Sequence, residues 1–100
     1  MTEQAMRKNE GKPELSYILE ADYAIKGVCE VLAFGAEKYD RGNYKKGFPK
    51  EKLADSLLRH LTSFLNGEEL DQESGLHHTD HVLANALFLA YHYNGRKDRD

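Results

Sequence analysis

His77-His78-Thr79-Asp80-His81-Val82-Leu83-Ala84-Asn85-Ala86-Leu87-Phe88-Leu89-Ala90-Tyr91-His92-Tyr93 is the run that decides the fold. It holds no glycine or proline, and Asn94-Gly95 stops it. Its apolar residues cover almost the whole circumference of a helix, so the helix is expected to be buried on most sides. In a chain of 100 residues that makes it a central helix, a subunit interface, or both. His78, His81 and Asn85 fall at i, i+3 and i+7, on one face, with His77 and Asp80 beside them. Imidazoles at that spacing share a metal or hydrogen-bond one ligand from two sides. With Asn85 the patch equally suits recognition of a base or sugar, or is a solvated helix start.

Moving back along the chain, residues 67–75 form an acidic loop with Glu68, Glu69, Asp71 and Glu73. Such carboxylates offer hard oxygen ligands to Mg2+ or Mn2+, or simply stay solvated. Ser74-Gly75 can cap the following helix and leave its first N–H groups to an anion. A second helix is predicted from about Lys50 to Asn66, with Leu53, Leu57, Leu58, Leu61, Phe64 and Leu65 on its apolar face and Gly67 just beyond its end. Asp55 and Arg59 stand at i, i+4 and either pair on the surface or leave Arg59 free to present its planar fork to a phosphate. Residues 40–50 read as a loop, and Lys38, Arg41, Lys45, Lys46 and Lys50 crowd it with Tyr39 and Tyr44 among them. A first helix is predicted from about Leu19 to Tyr39, on the recurrence of Ile18, Ala21, Ile25, Val28, Cys29, Leu32 and Ala36. Gly27 and Gly35 each weaken it by about 1 kcal/mol, so they are either tolerated or used for close approach of a backbone or ligand. Leu15, Tyr17 and Ile18 form a short extended piece or a single turn.

Composition narrows the function classes. The net charge of −3 argues against wrapping duplex nucleic acid, while a few local cations suffice for a small phosphorylated ligand. The longest uncharged stretch, His81 to Gly95, is short of the ~20 residues of a membrane span. The first ten residues have no apolar core, so no secretory signal is expected and a cytoplasmic location is. A single cysteine, Cys29, excludes an internal disulfide framework, and its neighbours Val28, Val31 and Leu32 predict a buried small hydrophobe. Phosphate-loop, dinucleotide-binding and nucleophile-elbow motifs are all missing.

Several pieces act as a set: Gly11-Lys12; Phe34-Gly35-Ala36-Glu37-Lys38-Tyr39 with Arg41, Asn43-Tyr44 and Gly47; Leu58-Arg59-His60-Leu61; Gly67-Glu68, Asp71 and Glu73-Ser74-Gly75-Leu76; and His78, His81 and Asn85. In this order and spacing the chain resembles the phage-associated family of dATP/dGTP diphosphohydrolase N-terminal domains, over roughly residues 8–93. That family is similar to MazG-type nucleotide pyrophosphohydrolases. The resemblance implies an all-α fold, helices shared across a homo-oligomer, and divalent-metal-dependent conversion of dGTP or dATP to the monophosphate and pyrophosphate in an infected bacterial host. The chain departs from MazG, lacking both its Glu-Glu-x-x-Glu and its Glu-x-x-Asp.

On this resemblance Glu37, Glu68 and Asp71 are the expected ligands for Mg2+ or Mn2+. Lys12, Lys38, Arg41 and Arg59 are expected on phosphates, Tyr39 or Tyr44 on the base, and Asn43 or Asn85 on its edge, with Ser74 beside the nucleotide. His60, His78 and His81 are expected as metal ligands or proton carriers. The other reading is a pocket that binds a purine nucleotide or nucleotide-derived host immune signal and does not cut it. The expected architecture is all-α: three main helices in a nucleotide-binding domain over residues 13–95, a flexible or extended arm over 1–12, a charged tail over 96–100, and a homo-oligomer interface on the first and third helices.

Overall fold

The computed structural model describes residue 6 and residues 11–95. The charged tail and most of the N-terminal arm lie outside them. Three α-helices make up the fold: α1, Asp22–Lys38; α2, Lys50–Leu65; and α3, His78–Tyr93. A 3-10 helix of 7 residues, Leu15–Ala21, precedes α1, where the sequence suggests an extended piece or a single turn, and a shorter one, Asn43–Lys46, fills the loop after it. The described residues contain no β-strand, only one isolated antiparallel bridge, Leu70 to His77. None of their helices is long and apolar enough to cross a membrane.

Local chemistry sets the helix ends. Asp22 opens α1 and Lys38 closes it, each with the sign that suits its end of the helix dipole. Pro49 precedes α2 and its carbonyl accepts the Lys52 and Leu53 N–H groups. After α2 the chain turns at Gly67, whose φ of 98° disfavours any side chain. His77 caps α3 through its own ring, with Nδ1 accepting the Thr79 N–H at 3.1 Å. Ser74 does not serve as that cap.

The core lies where α1 crosses α3. Val28, Val31 and fully buried Ala84 are flanked by Leu32, Leu76 and Phe88. Gly27 is buried there: a Cβ on it would lie 2.1 Å from Asp80 Oδ1, so the Asp80 carboxylate of α3 occupies the space a side chain at Gly27 would need. Gly35 is different, with nothing within 4 Å of a built Cβ.

α2 packs along α3 and buries Leu53. Asn85, inside this interface, donates from Nδ2 to the Ser56 hydroxyl at 3.2 Å and to the His81 carbonyl at 2.9 Å. The all-round apolar pattern of α3 is only partly covered, because Leu83, Leu87 and Tyr91, one row along the helix, are exposed. Cys29 is also exposed, contrary to the sequence expectation, because α1 turns the Val28 and Val31 face inward and leaves Cys29 beside it on the surface.

Candidate functional site

The N-terminal turn of α3 and the His60 turn of α2 converge, and the loop between the helices folds over them. That loop is a tight hairpin. Asp71 N–H donates to the Leu76 carbonyl and His78 N–H to the Glu69 carbonyl, each at 2.8 Å, and Gly75, with φ of 73°, makes the turn. The hairpin brings Asp71 back against both helices.

Three side chains then offer ligand atoms within 4.8 Å of one another: His60, Asp71 and His78. The Nδ1 atoms of His60 and His78 are 2.8 Å apart, and Asp71 Oδ1 is 4.0 Å from His60 Nδ1. His78 is buried, and its other nitrogen, Nε2, donates to Glu68 Oε1 at 2.8 Å. An ionised carboxylate only accepts, so Nε2 carries a proton, and Nδ1 turns toward His60. Asp71 Oδ2 accepts the Ser74 N–H at 2.8 Å. The Ser74 hydroxyl accepts from Leu76 N–H and donates to His81 Nε2 at 2.7 Å. The His81 ring stacks flat on His60, with centroids 4.3 Å apart and planes 6° from parallel.

Electrostatics follow from this packing. Burial pushes the His60 pKa down, and neighbouring His81 adds to the effect while Asp71 opposes it. Burial likewise lowers His81, with Asp71 opposing. Burial alone would raise Asp71, but the bonds from Ser74 and the nearby His81 and His60 bring it below the usual carboxylate value. His60 and His81 thus favour the neutral form beside an ionised Asp71, and a metal ion requires those protonation states of such ligands. By donor type and spacing these residues fit a divalent cation.

A second feature adjoins the centre. The end of α1, the loop after it and α3 enclose an aromatic cavity of about 210 Å³, lined among others by Phe34, Lys38, Tyr39, Arg41, Tyr44 and Phe88. A wider groove of about 810 Å³ continues from it past Arg41 and Tyr44 to Glu37 and Lys45. The loop is pinned to α3: His92 Nε2 donates to the Tyr44 carbonyl at 2.6 Å, the Tyr93 hydroxyl donates to the Phe48 carbonyl, and Tyr44 stacks on Phe88. Lys38 joins the two features. It lines the cavity, lies over the Phe34 and Tyr39 rings, and pairs with Glu73, two residues from Asp71. That pairing raises the Lys38 pKa.

The expected site residues thus fall into groups. His60, Asp71, Ser74, His78 and His81 meet at the centre, and Glu68 reaches it through His78. Lys38, Tyr39, Arg41, Asn43 and Tyr44 share the cavity, whereas Glu37 faces the wider groove. Arg59 is exposed next to His60, Lys12 is exposed on the segment before α1, and Asn85 is buried in the α2–α3 interface. Sequence reasoning passed over Glu73 as a partner for Lys38, and Phe48 and Phe88 as cavity walls. The aromatic residues flanking the basic loop were the available signal for the walls.

Comparison with known proteins shows the family of the chain. Residues 2–100 match the family described as dATP/dGTP diphosphohydrolase, N-terminal. The chain is also 36% identical over 73 residues to a dATP/dGTP diphosphohydrolase of Salmonella phage PMBT28, which covers 73% of this chain and 25% of that protein. The chain therefore spans about a quarter of that relative's length. No solved structure is significantly similar to it. The chain belongs to the dATP/dGTP diphosphohydrolase N-terminal family.

Proposed function

We propose that this member of the dATP/dGTP diphosphohydrolase N-terminal family binds a purine deoxynucleoside triphosphate and converts it to the monophosphate and pyrophosphate. One observation carries the reading: Lys38 lines the aromatic cavity and pairs with Glu73 of the hairpin that supplies Asp71. A groove suited to a nucleoside and a cluster suited to a cation thus meet at one side chain. The phage relative's name supports the substrate class.

In this reading Tyr39 or Tyr44 stacks on the base and Asn43 meets its edge. Lys38 and Arg41 bind phosphate oxygens, and exposed Arg59 approaches them from α2. His60, Asp71 and His78 would hold a divalent cation, which would neutralise triphosphate charge and activate a water. The water oxygen bonds to the α-phosphorus, the bond from that phosphorus to the oxygen bridging to the β-phosphate breaks, and pyrophosphate leaves with that oxygen. The Ser74 hydroxyl, bonded to His81 Nε2, can take up the proton that the water loses while passing its own to neutral His81.

The test is a panel of deoxynucleoside triphosphates and cyclic or ADP-ribose-type nucleotides, incubated with Mg2+ and then with Mn2+ and read by mass spectrometry. Formation of dGMP or dAMP with pyrophosphate is the expected result. A nucleotide retained intact through a desalting column, with no product from any substrate, would make the protein a sequestering binder and overturn the hydrolase reading.

A further inference from the structure

The donor atoms of the centre select among cations. Resting on the reading that His60, Asp71 and His78 hold a divalent ion, we infer that this ion is a first-row transition cation from Mn2+ to Zn2+, bound through imidazole nitrogen, and that the centre discriminates against Mg2+.

The donors are the first ground. Two of the three are imidazole Nδ1 atoms. Mg2+ takes oxygen ligands and gives up its waters reluctantly, whereas imidazole suits the transition ions. An oxygen-rich alternative is not assembled here. Glu68 is engaged by His78, Glu73 by Lys38, and Glu37 faces the wider groove.

Preparation of the ligands is the second ground. His78 is 2% exposed, and a carboxylate behind its Nε2 fixes the tautomer that leaves Nδ1 free, an arrangement typical of metal-bound histidines. The stacked His81 ring holds His60 in place, and Ser74 N–H holds one oxygen of Asp71 while the other faces His60. The 2.8 Å between the two Nδ1 atoms and the 4.0 Å from Asp71 Oδ1 to His60 Nδ1 bracket the ~3.3–3.6 Å between neighbouring ligands on a tetrahedral ion with bonds of ~2.0–2.2 Å. To accept an ion the centre must give up the proton shared by the two imidazoles and draw Asp71 inward.

The test uses the full chain stripped of metal by a chelator, then given Mg2+, Mn2+, Zn2+ or Co2+ alone, without nucleotide. Zn2+, Mn2+ and Co2+ should raise the melting temperature and stay with the protein through desalting, and Mg2+ should do neither. Bound Co2+ should show the visible absorption of a nitrogen-ligated ion. H78Q should abolish that spectrum, and E68Q, which keeps the ligands but loses the carboxylate behind His78, should weaken Zn2+ binding by about 10–100-fold. Circular dichroism checks that both variants are folded. Stabilisation by Mg2+ equal to that by Zn2+, or a Co2+ spectrum like that of the aqueous ion, overturns the inference on wild-type protein alone. Selective retention of Zn2+ and Mn2+ without pyrophosphate release upholds the cation assignment while the hydrolase reading fails. Cleavage of dGTP with Mg2+ and no retention of transition ions sinks the cation assignment and leaves the hydrolase reading intact.

Discussion

His60 on α2 and His78 on α3 face each other through their Nδ1 atoms at 2.8 Å, with room for one proton between them. Both helices thus commit an imidazole to the same point, and burial favours the neutral form of His60. That sets a pH dependence for the metal-free protein. Burial lowers His60 and His81 below their ordinary value of 6.5. Below pH 6.5 the unfolded chain then binds more protons than the folded one, so stability rises with pH up to about that value and levels off above it. Asp71, also lowered, adds a loss at more acid pH, as the medium falls from 3.8 through its folded value. Urea midpoints of chelator-treated protein on either side of pH 6.5 check the first effect, and H60Q should flatten the slope. A midpoint independent of pH in that window would contradict the burial of these rings.

Asp71 separates structure from chemistry at the same centre. Its Oδ2 is occupied by Ser74 N–H, and its Oδ1 faces His60. D71N preserves size and can still accept the Ser74 bond, but it removes the charge that a cation needs. Pyrophosphate release from dGTP should fall by more than about 100-fold, with the melting temperature of the metal-free protein little changed. Wild-type turnover in D71N would remove Asp71 from the catalytic set.

Much of this centre was legible before the fold was known, for a definite reason. The i, i+3 spacing of His78 and His81 is a local property of one helix, and both are buried on one face of α3. The partnership with His60 was not legible, because it depends on how α2 lies against α3. Nor was the choice among acids. Glu37, Glu68, Asp71 and Glu73 look alike in a sequence, and only the hairpin closed by Asp71 N–H on the Leu76 carbonyl puts one of them against the histidines. Cys29 failed for a similar reason: on a helix with apolar residues on several faces, the neighbours of a residue do not say which face turns inward.

The two helical glycines of α1 should respond to alanine with opposite signs. At Gly27 a methyl group would lie 2.1 Å from Asp80 Oδ1, so Asp80 or the helix must shift. Overpacking of about 1–3 kcal/mol then outweighs a gain of about 1 kcal/mol in helix propensity. At Gly35 nothing lies within 4 Å of a built Cβ, and the propensity gain of about 1 kcal/mol stands alone. Urea denaturation of G27A and G35A should show a lower and a higher midpoint than wild type. A stabilising G27A would mean that the Asp80 carboxylate swings aside at little cost and that packing does not require glycine there.

The exposed row of Leu83, Leu87 and Tyr91 is where an oligomer would form if α3 is shared between subunits. Covering the remaining two fifths or so of each side chain is worth about 1 kcal/mol apiece, and burying a charge among them costs more, so a charge in the middle of the row should be decisive. Light scattering on wild-type protein should give a mass above that of one chain, and L87E should reduce it to that of one chain with helicity unchanged. A wild-type monomer would overturn helix sharing on this face.

Lys38 is the residue whose loss should weaken binding without weakening the fold. Its pairing with Glu73 joins two exposed side chains, which solvent screens, so it contributes little to stability. On a phosphate the same ammonium makes a charge-assisted bond, and its removal should cost about 10–100-fold in affinity. K38M keeps most of the aliphatic stem against Phe34 and Tyr39 and discards the charge. Calorimetry with a non-hydrolysable dGTP analogue should therefore show K38M binding at least about 10-fold more weakly than wild type, with near-equal melting temperatures. E73Q breaks the same ion pair while leaving the Lys38 charge free for phosphate, so it should bind as tightly as wild type or tighter. If K38M and E73Q lose affinity together, the contribution of Lys38 lies in anchoring the hairpin to α1, and phosphate binding falls to Arg41 and Arg59.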